Sequence, residues 1–258
     1  MAALTSERAS PRTSLPRLWR WAAPIAGFVF PSTCPVCGTT TESDTDIWCA
    51  GCLPRVRRWG RCVCPQCRRF RPSDFSDCPD GHAPVQPTFV AVLGPYDAAF
   101  RAVVGAVKYR GRRSLARLLA REMAERLDVF EAIDTIVAVP TSTRKVRERG
   151  FGHAEEIARH LAADVGLPFR PAALYATRRL ADQTRLSATQ REANLSGAFA
   201  VRPDERIKDR GVLVVDDVTT TGATLADAAR ALTEAGARRV GAVVVALNLG
   251  GPAADLRF

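Results

Sequence analysis

Residues 212–225 read VLVVDDVTTTGATL, and no other stretch restricts the fold of this chain so tightly. With Gly211 they open a nearly continuous apolar run over 211–218, which predicts a central parallel strand buried on both faces. The run ends in two acids, Asp216 and Asp217, and passes into Thr219, Thr220, Thr221, Gly222, Ala223 and Thr224, a loop opening an Ala-rich helix over 224–235. Such a loop presents backbone N–H groups and threonine hydroxyls to one anionic group, with the positive end of the helix dipole behind them. Gly222 permits close approach of the backbone, because no Cβ stands in the way. Two ionised carboxylates beside this cradle would repel a second phosphate, whereas they suit ribose hydroxyls or a hydrated Mg²⁺. An acidic turn followed by a threonine cap is the plainer alternative. Two acids, three threonines and a glycine between a buried strand and a helix are too specific for capping alone. The chain has no G-x-x-x-x-G-K-[ST], and no G-x-G-x-x-G opens a helix here, which disfavours a nucleoside triphosphatase.

The surrounding periodicity predicts strands over 89–93, 135–140 and 240–247 and helices over 99–108, 115–127 and 154–165. Strand, loop, helix, strand is a βαβ unit. The expected architecture is therefore an open α/β parallel sheet with helices on both faces and its ligand site outside the carboxyl ends of the strands.

All eight cysteines fall between Cys34 and Cys78. Cys34 with Cys37 and Cys49 with Cys52 form two C-x2-C knuckles, whose four thiolates make the tetrahedral set that Zn²⁺ prefers. A second cluster holds Cys62, Cys64, Cys67, Cys78 and His82. Its ligands are either Cys64, Cys67, Cys78 and His82, with Cys62 spare, or the four cysteines, with His82 a loop histidine. Disulfides are the alternative to zinc and require an oxidising compartment. A metal coordinated entirely by protein ligands is structural and carries no catalytic water, so the chemistry lies elsewhere. Arginines 55, 57, 58, 61, 68, 69 and 71 surround both clusters, with Trp48, Trp59 and Phe70 interleaved. That alternation suits single-stranded nucleic acid, although the aromatics equally supply the small core that a zinc module needs.

The net charge of +10 favours anionic partners without selecting one. Residues 21–30 are apolar but short and broken by Pro24, so no membrane span is expected. Arg12, Arg17 and Arg20 ahead of them resemble the start of an export signal, but no A-x-A-like cleavage site follows; the expected location is the cytoplasm.

At residues 212–225 the sequence resembles the ribose 5-phosphate loop of type I phosphoribosyltransferases. With FVFPSTCPVC opening the cysteine-rich part, about residues 28–247 resemble the ComF family of competence-associated proteins. Further matches are AVKYRG around Lys108; Val139 and Pro140 followed by Arg144, Arg147 and Arg149-Gly150-Phe151; and Gln183, Leu186, Arg191, Asn194, Gly197 and Phe199 at the family's spacing. The resemblance implies three parts: a basic segment over 1–27, partly disordered or a short helix; a zinc module over 28–87; and a type I phosphoribosyltransferase-like domain over 88–258. It implies 5-phosphoribosyl 1-diphosphate (PRPP) as ligand, with its 5-phosphate on residues 219–224 and Mg²⁺ bridging diphosphate and ribose. Pro140, Arg144 and Arg149 belong to the implied diphosphate loop, and Lys108 or Arg149 would stabilise the leaving group while Asp216 and Asp217 hold the ribose.

The chain departs from the family in having Ala138 ahead of Pro140 and Gly152-His153 after Phe151, where the family has a second proline and an Asn-Gln pair. His153 either replaces a polar contact or begins a helix. The resemblance also brings in single-stranded DNA and competence or DNA-processing proteins as partners. Three functions stay open: a transferase, a DNA-binding protein that keeps the fold, and a PRPP-sensing regulator. The acceptor and the oligomeric state are not written in the sequence.

Overall fold

A computed structural model describes residues 33–43, 46–57, 61–71, 78, 80–83, 85–109, 113–142, 146–148, 150–178, 197–203 and 205–248. The expected segment 1–27, Arg144, Arg149 and most of the motif that starts at Gln183 lie outside these residues.

In chain order, a short helix α1 (Leu53–Arg57) precedes strands β1 (Arg61–Val63), β2 (Phe70–Arg71) and β3 (Val90–Pro95). Helices α2 (Ala98–Tyr109) and α3 (Arg113–Arg126) lead to β4 (Thr135–Ala138) and α4 (His153–Val165). Then come β5 (Leu174–Ala176), β6 (Phe199–Val201), β7 (Gly211–Thr219), α5 (Ala223–Glu234) and β8 (Arg239–Leu247). The main sheet has the order β2-β1-β3-β8-β7-β4. Strands β3, β8, β7 and β4 run parallel, and β1 pairs antiparallel with both β3 and β2. The cysteine-rich region thus adds a hairpin to the edge of the parallel sheet, with Cys62 opposite Ala91.

The continuous apolar character of β7 follows from burial on both faces. Leu213 and Val215 face a core built with α2, α3 and α4, whereas Val212 and Val214 face one built with α5 and the β5–β6 hairpin. Leu119, Met123, Ile157 and Leu161 are almost fully buried in the first core, each such side chain stabilising the fold by about 1.5–3 kcal/mol. Trp48 belongs to that core, its ring centroid 5.7 Å from that of Phe100. Trp48 is therefore packing and not a platform for bases. Arg126 joins the two regions, donating to the carbonyls of Val56 in α1 and Leu93 in β3 at 3.0 and 3.2 Å.

Helix α4 starts at His153, and Glu155 and Glu156 in its first turn complement the helix dipole. It ends at Gly166, whose left-handed backbone (φ 69°) lets its N–H reach the carbonyl of Ala162.

Candidate functional site

Parallel pairing brings the carboxyl ends of β4, β7 and β8 to one edge. Ala138 lies opposite Val215, Thr219 lies opposite Leu247, and the N–H of Val139 donates to the carbonyl of Val215 at 3.0 Å. Pro140 therefore emerges beside Asp216 and Asp217. The strand runs further than its acids, to Thr219, so both aspartates sit within the last turns of the ladder and not beyond it. The N–H of Asp217 donates to Oδ1 of Asp216 at 2.8 Å, which orients that carboxylate.

Residues 220–222 connect β7 to α5, and the helix begins at Ala223. Gly222 caps it with φ 82°, a left-handed backbone that a Cβ would strain. The space around Gly222 is open, so its conformation, and not crowding by protein, calls for glycine there. The Thr221 hydroxyl accepts from the N–H of Ala223 at 3.3 Å, and Thr219 is buried with its carbonyl accepting from Asn248. The loop is held at both ends and turns the first N–H groups of α5 towards whatever occupies it.

One wall of a cleft of about 490 Å³ is formed by Thr219, Thr220, Thr221, Gly222 and Ala223. The knuckle residues Cys64, Pro65, Gln66 and Arg68 and apolar Val63, Val90, Leu225 and Leu247 line the same cleft. Asp216, Asp217 and Pro140 do not line this cleft. The threonine loop thus borders the cleft, whereas the acids precede it on β7 outside the cleft lining. Lys108 lies in the last turn of α2. Among residues near the implied diphosphate loop, Arg147 is exposed in a helical turn over 146–148 that starts beyond Ser142.

Two residues that sequence reasoning passed over or left open stand at the site. His153 is buried, with Nδ1 3.8 Å from Oδ2 of Asp217, so it begins a helix and also faces an acid of the candidate site. Asp227, one turn into α5, is buried and accepts from the N–H groups of Gly197 and Phe199, both at 2.8 Å. Burial raises its pKa, but Arg230 and these two N–H groups outweigh that and hold the carboxyl below the ordinary aspartate range. Asp227 thus ties the end of the motif that began at Gln183 to the helix carrying the threonine loop. A lone aspartate in an Ala-rich helix gives no such signal in a sequence.

The cysteines gather into two sets. Cys34, Cys37, Cys49 and Cys52 form one, and Cys64, Cys67, Cys78 and His82 the other; within each, the ligand atoms all lie within 4.8 Å of one another. Tetrahedral Zn²⁺ with bonds of about 2.3 Å to sulfur needs sulfur separations of about 3.8 Å, so both sets fit the ion. Nδ1 of His82 is 3.2 Å from Sγ of Cys78, whereas Cys62 lies in β1 within the core. The closely placed ligand atoms of the second set thus include His82 and not Cys62. Hydrogen bonding with Thr39 lowers the Cys37 pKa to about 6, and burial pushes Cys52 up to about 12. Four crowded thiols cannot all ionise without a cation, which a Zn²⁺ ion in the set would supply.

Residues 113–256 match the family described as the phosphoribosyl transferase domain. The DNA utilization protein YhgH of Escherichia coli K12 is 30% identical over 201 residues, which cover 74% of this chain and 86% of that protein. Competence protein F of Haemophilus influenzae is 24% identical over 202 residues, with the same shares of 74% and 86%. Among solved structures, the glutamine PRPP amidotransferase of B. subtilis is 22% identical and covers 52% of this chain and 26% of its own, with a TM-score of 0.33. A superposition at that level carries no argument, and the fold assignment rests on the strand order and the family match.

Proposed function

The chain belongs to the ComF family of phosphoribosyl transferase domain proteins, and from that premise we propose that it binds PRPP at the carboxyl edge of its sheet. The observation that carries this reading is the continuity of β7, Asp216, Asp217, the threonine loop and α5. The loop receives the 5-phosphate, since its N–H groups and hydroxyls converge at a helix start. Asp216 and Asp217 accept hydrogen bonds from the ribose hydroxyls and favour positive charge on the ring as diphosphate leaves C1 with the bonding electron pair. Pro140 begins the loop for the diphosphate, with Arg144 and Arg149 as its cations and Lys108 as a further candidate. Mg²⁺ fits an oxygen-rich site of this kind and would neutralise the diphosphate. In this reading the two cysteine sets hold structural Zn²⁺ rather than disulfides, and the protein works in a reducing compartment, the cytoplasm. The reading divides the chain at about residues 28 and 88.

The test is calorimetric titration with PRPP with and without Mg²⁺, followed by a screen of purines and pyrimidines for diphosphate release. Saturable, Mg²⁺-dependent binding supports the site, and turnover with any base makes the protein a transferase.

A second reading draws on the relatives, one named for DNA utilization and one for competence, and on the net charge of +10. Here the protein handles single-stranded DNA and PRPP serves as a regulator. Binding of an oligonucleotide that weakens steeply with salt, without turnover of PRPP, favours it.

A further inference from the structure

The knuckles Cys34–Cys37 and Cys64–Cys67 share one backbone plan, and their left-handed turn residue is Gly38 in the first and Arg68 in the second. In the first, the N–H of Gly38 donates to the carbonyl of Cys34 and the N–H of Cys34 to that of Thr39, each at 2.8 Å. In the second, the N–H of Arg68 donates to the carbonyl of Cys64 at 2.8 Å and the N–H of Cys64 to that of Arg69 at 2.9 Å. The turn residue is left-handed in both, with φ 77° at Gly38 and 62° at Arg68. Glycine takes that conformation freely, whereas an arginine there is strained. The knuckle fold alone is served at lower cost by glycine, as its sister shows, so an arginine there carries a backbone cost that a role for its side chain would offset.

Arg68 lines the same cleft as the threonine loop. The loop offers only neutral donors to a phosphate. Among the described residues lining the cleft, Arg68 and Arg230 carry positive charge, and Arg230 is engaged with Asp227 and Glu234. We propose that Arg68, held in place by the second metal knuckle, is a ligand-binding residue that pairs with the phosphomonoester seated on the threonine loop. The ligand is then gripped by both parts of the chain, hydrogen-bonded by the α/β domain and charge-paired by the metal module. This inference rests on the threonine loop binding a sugar phosphate, as proposed above.

The experiment uses the full zinc-loaded chain and Arg68→Gly, which relieves the backbone strain and so retains the knuckle. Titrations with ribose 5-phosphate and PRPP are paired with measurement of zinc content and of zinc release to a chromogenic chelator. Arg68→Gly is expected to hold zinc at least as firmly as the parent chain while its affinity for both ligands falls about ten- to hundred-fold, the value of one charge-assisted hydrogen bond. Arg68→Lys, which keeps the charge, is expected to recover part of the loss. Unchanged affinity in a zinc-replete Arg68→Gly protein overturns the role of Arg68 and leaves the PRPP site standing. Failure of the parent chain to bind either ligand overturns the PRPP site and the role of Arg68 with it.

Discussion

Nδ1 of His153 stands 3.8 Å from Oδ2 of Asp217, and the imidazole meets the Phe151 ring edge-on with centroids 5.1 Å apart. The separation exceeds a direct hydrogen bond, so the contact is electrostatic and steric. The buried His153 thus faces one of the two carboxylates. Its occurrence after R-G-F, where the ComF family has a different polar pair, makes it a feature of this chain.

His153→Ala is expected to weaken PRPP binding about tenfold and to destabilise the fold by about 1–3 kcal/mol, because it empties the space behind Asp217. His153→Gln, which keeps a polar side chain there, should restore most of the binding. Titration of both variants decides the matter; equal affinity for His153→Ala and the parent chain removes His153 from the site.

The ties from Asp227 to Gly197 and Phe199 make the β5–β6 hairpin sensitive to acid. The folded-state pKa of Asp227 is depressed, so its contribution is complete above the ordinary aspartate value of about 4 and disappears as pH falls through the folded value below it. Asp227→Asn should cost about 1–3 kcal/mol at pH 7 and should flatten the fall of melting temperature as pH drops below about 4. Thermal melts across that range measure it, and parallel curves for the two proteins would assign the acid response to other groups.

Two Zn²⁺ per chain are expected by metal analysis, one in each set of four ligands. Seen from the sequence alone, chelation should unfold residues 34–82 and leave the α/β domain untouched. The pairing of β1 with β3, the packing of Trp48 on Phe100 and the bonds from Arg126 to Val56 change that expectation. Chelation should lower the melting temperature of the α/β core as well, while far-UV circular dichroism retains its helical signal. An unchanged core melting temperature after complete zinc removal would mean that these contacts contribute little.

The main sheet was legible because β7 and β8 are long apolar runs buried on both faces, and because glycine and threonine mark the turn into α5. The β5–β6 hairpin was not, since strands of three residues such as Leu174–Ala176 have too little alternation to stand out from a polar stretch. The cysteine spacing identified the knuckles but could not choose between Cys62 and His82; only the folded chain shows that the His82 ring, and not the Cys62 sulfur, gathers with Cys64, Cys67 and Cys78. Arg68 was lost among seven nearby arginines. Only its left-handed backbone and its place in the cleft distinguish it, and neither is a property of composition.

The central claim is that the acids at the end of β7 and the threonine turn after them grip a ribose phosphate. Calorimetric titration of PRPP, in Mg²⁺, into the parent chain and into the Asp216→Asn, Asp217→Asn double variant tests it most directly. The account predicts saturable heat for the parent and a loss of affinity of at least about a hundredfold for the variant, with the melting temperature of both preserved. Equal affinities, or no heat from the parent at saturating PRPP, would contradict it.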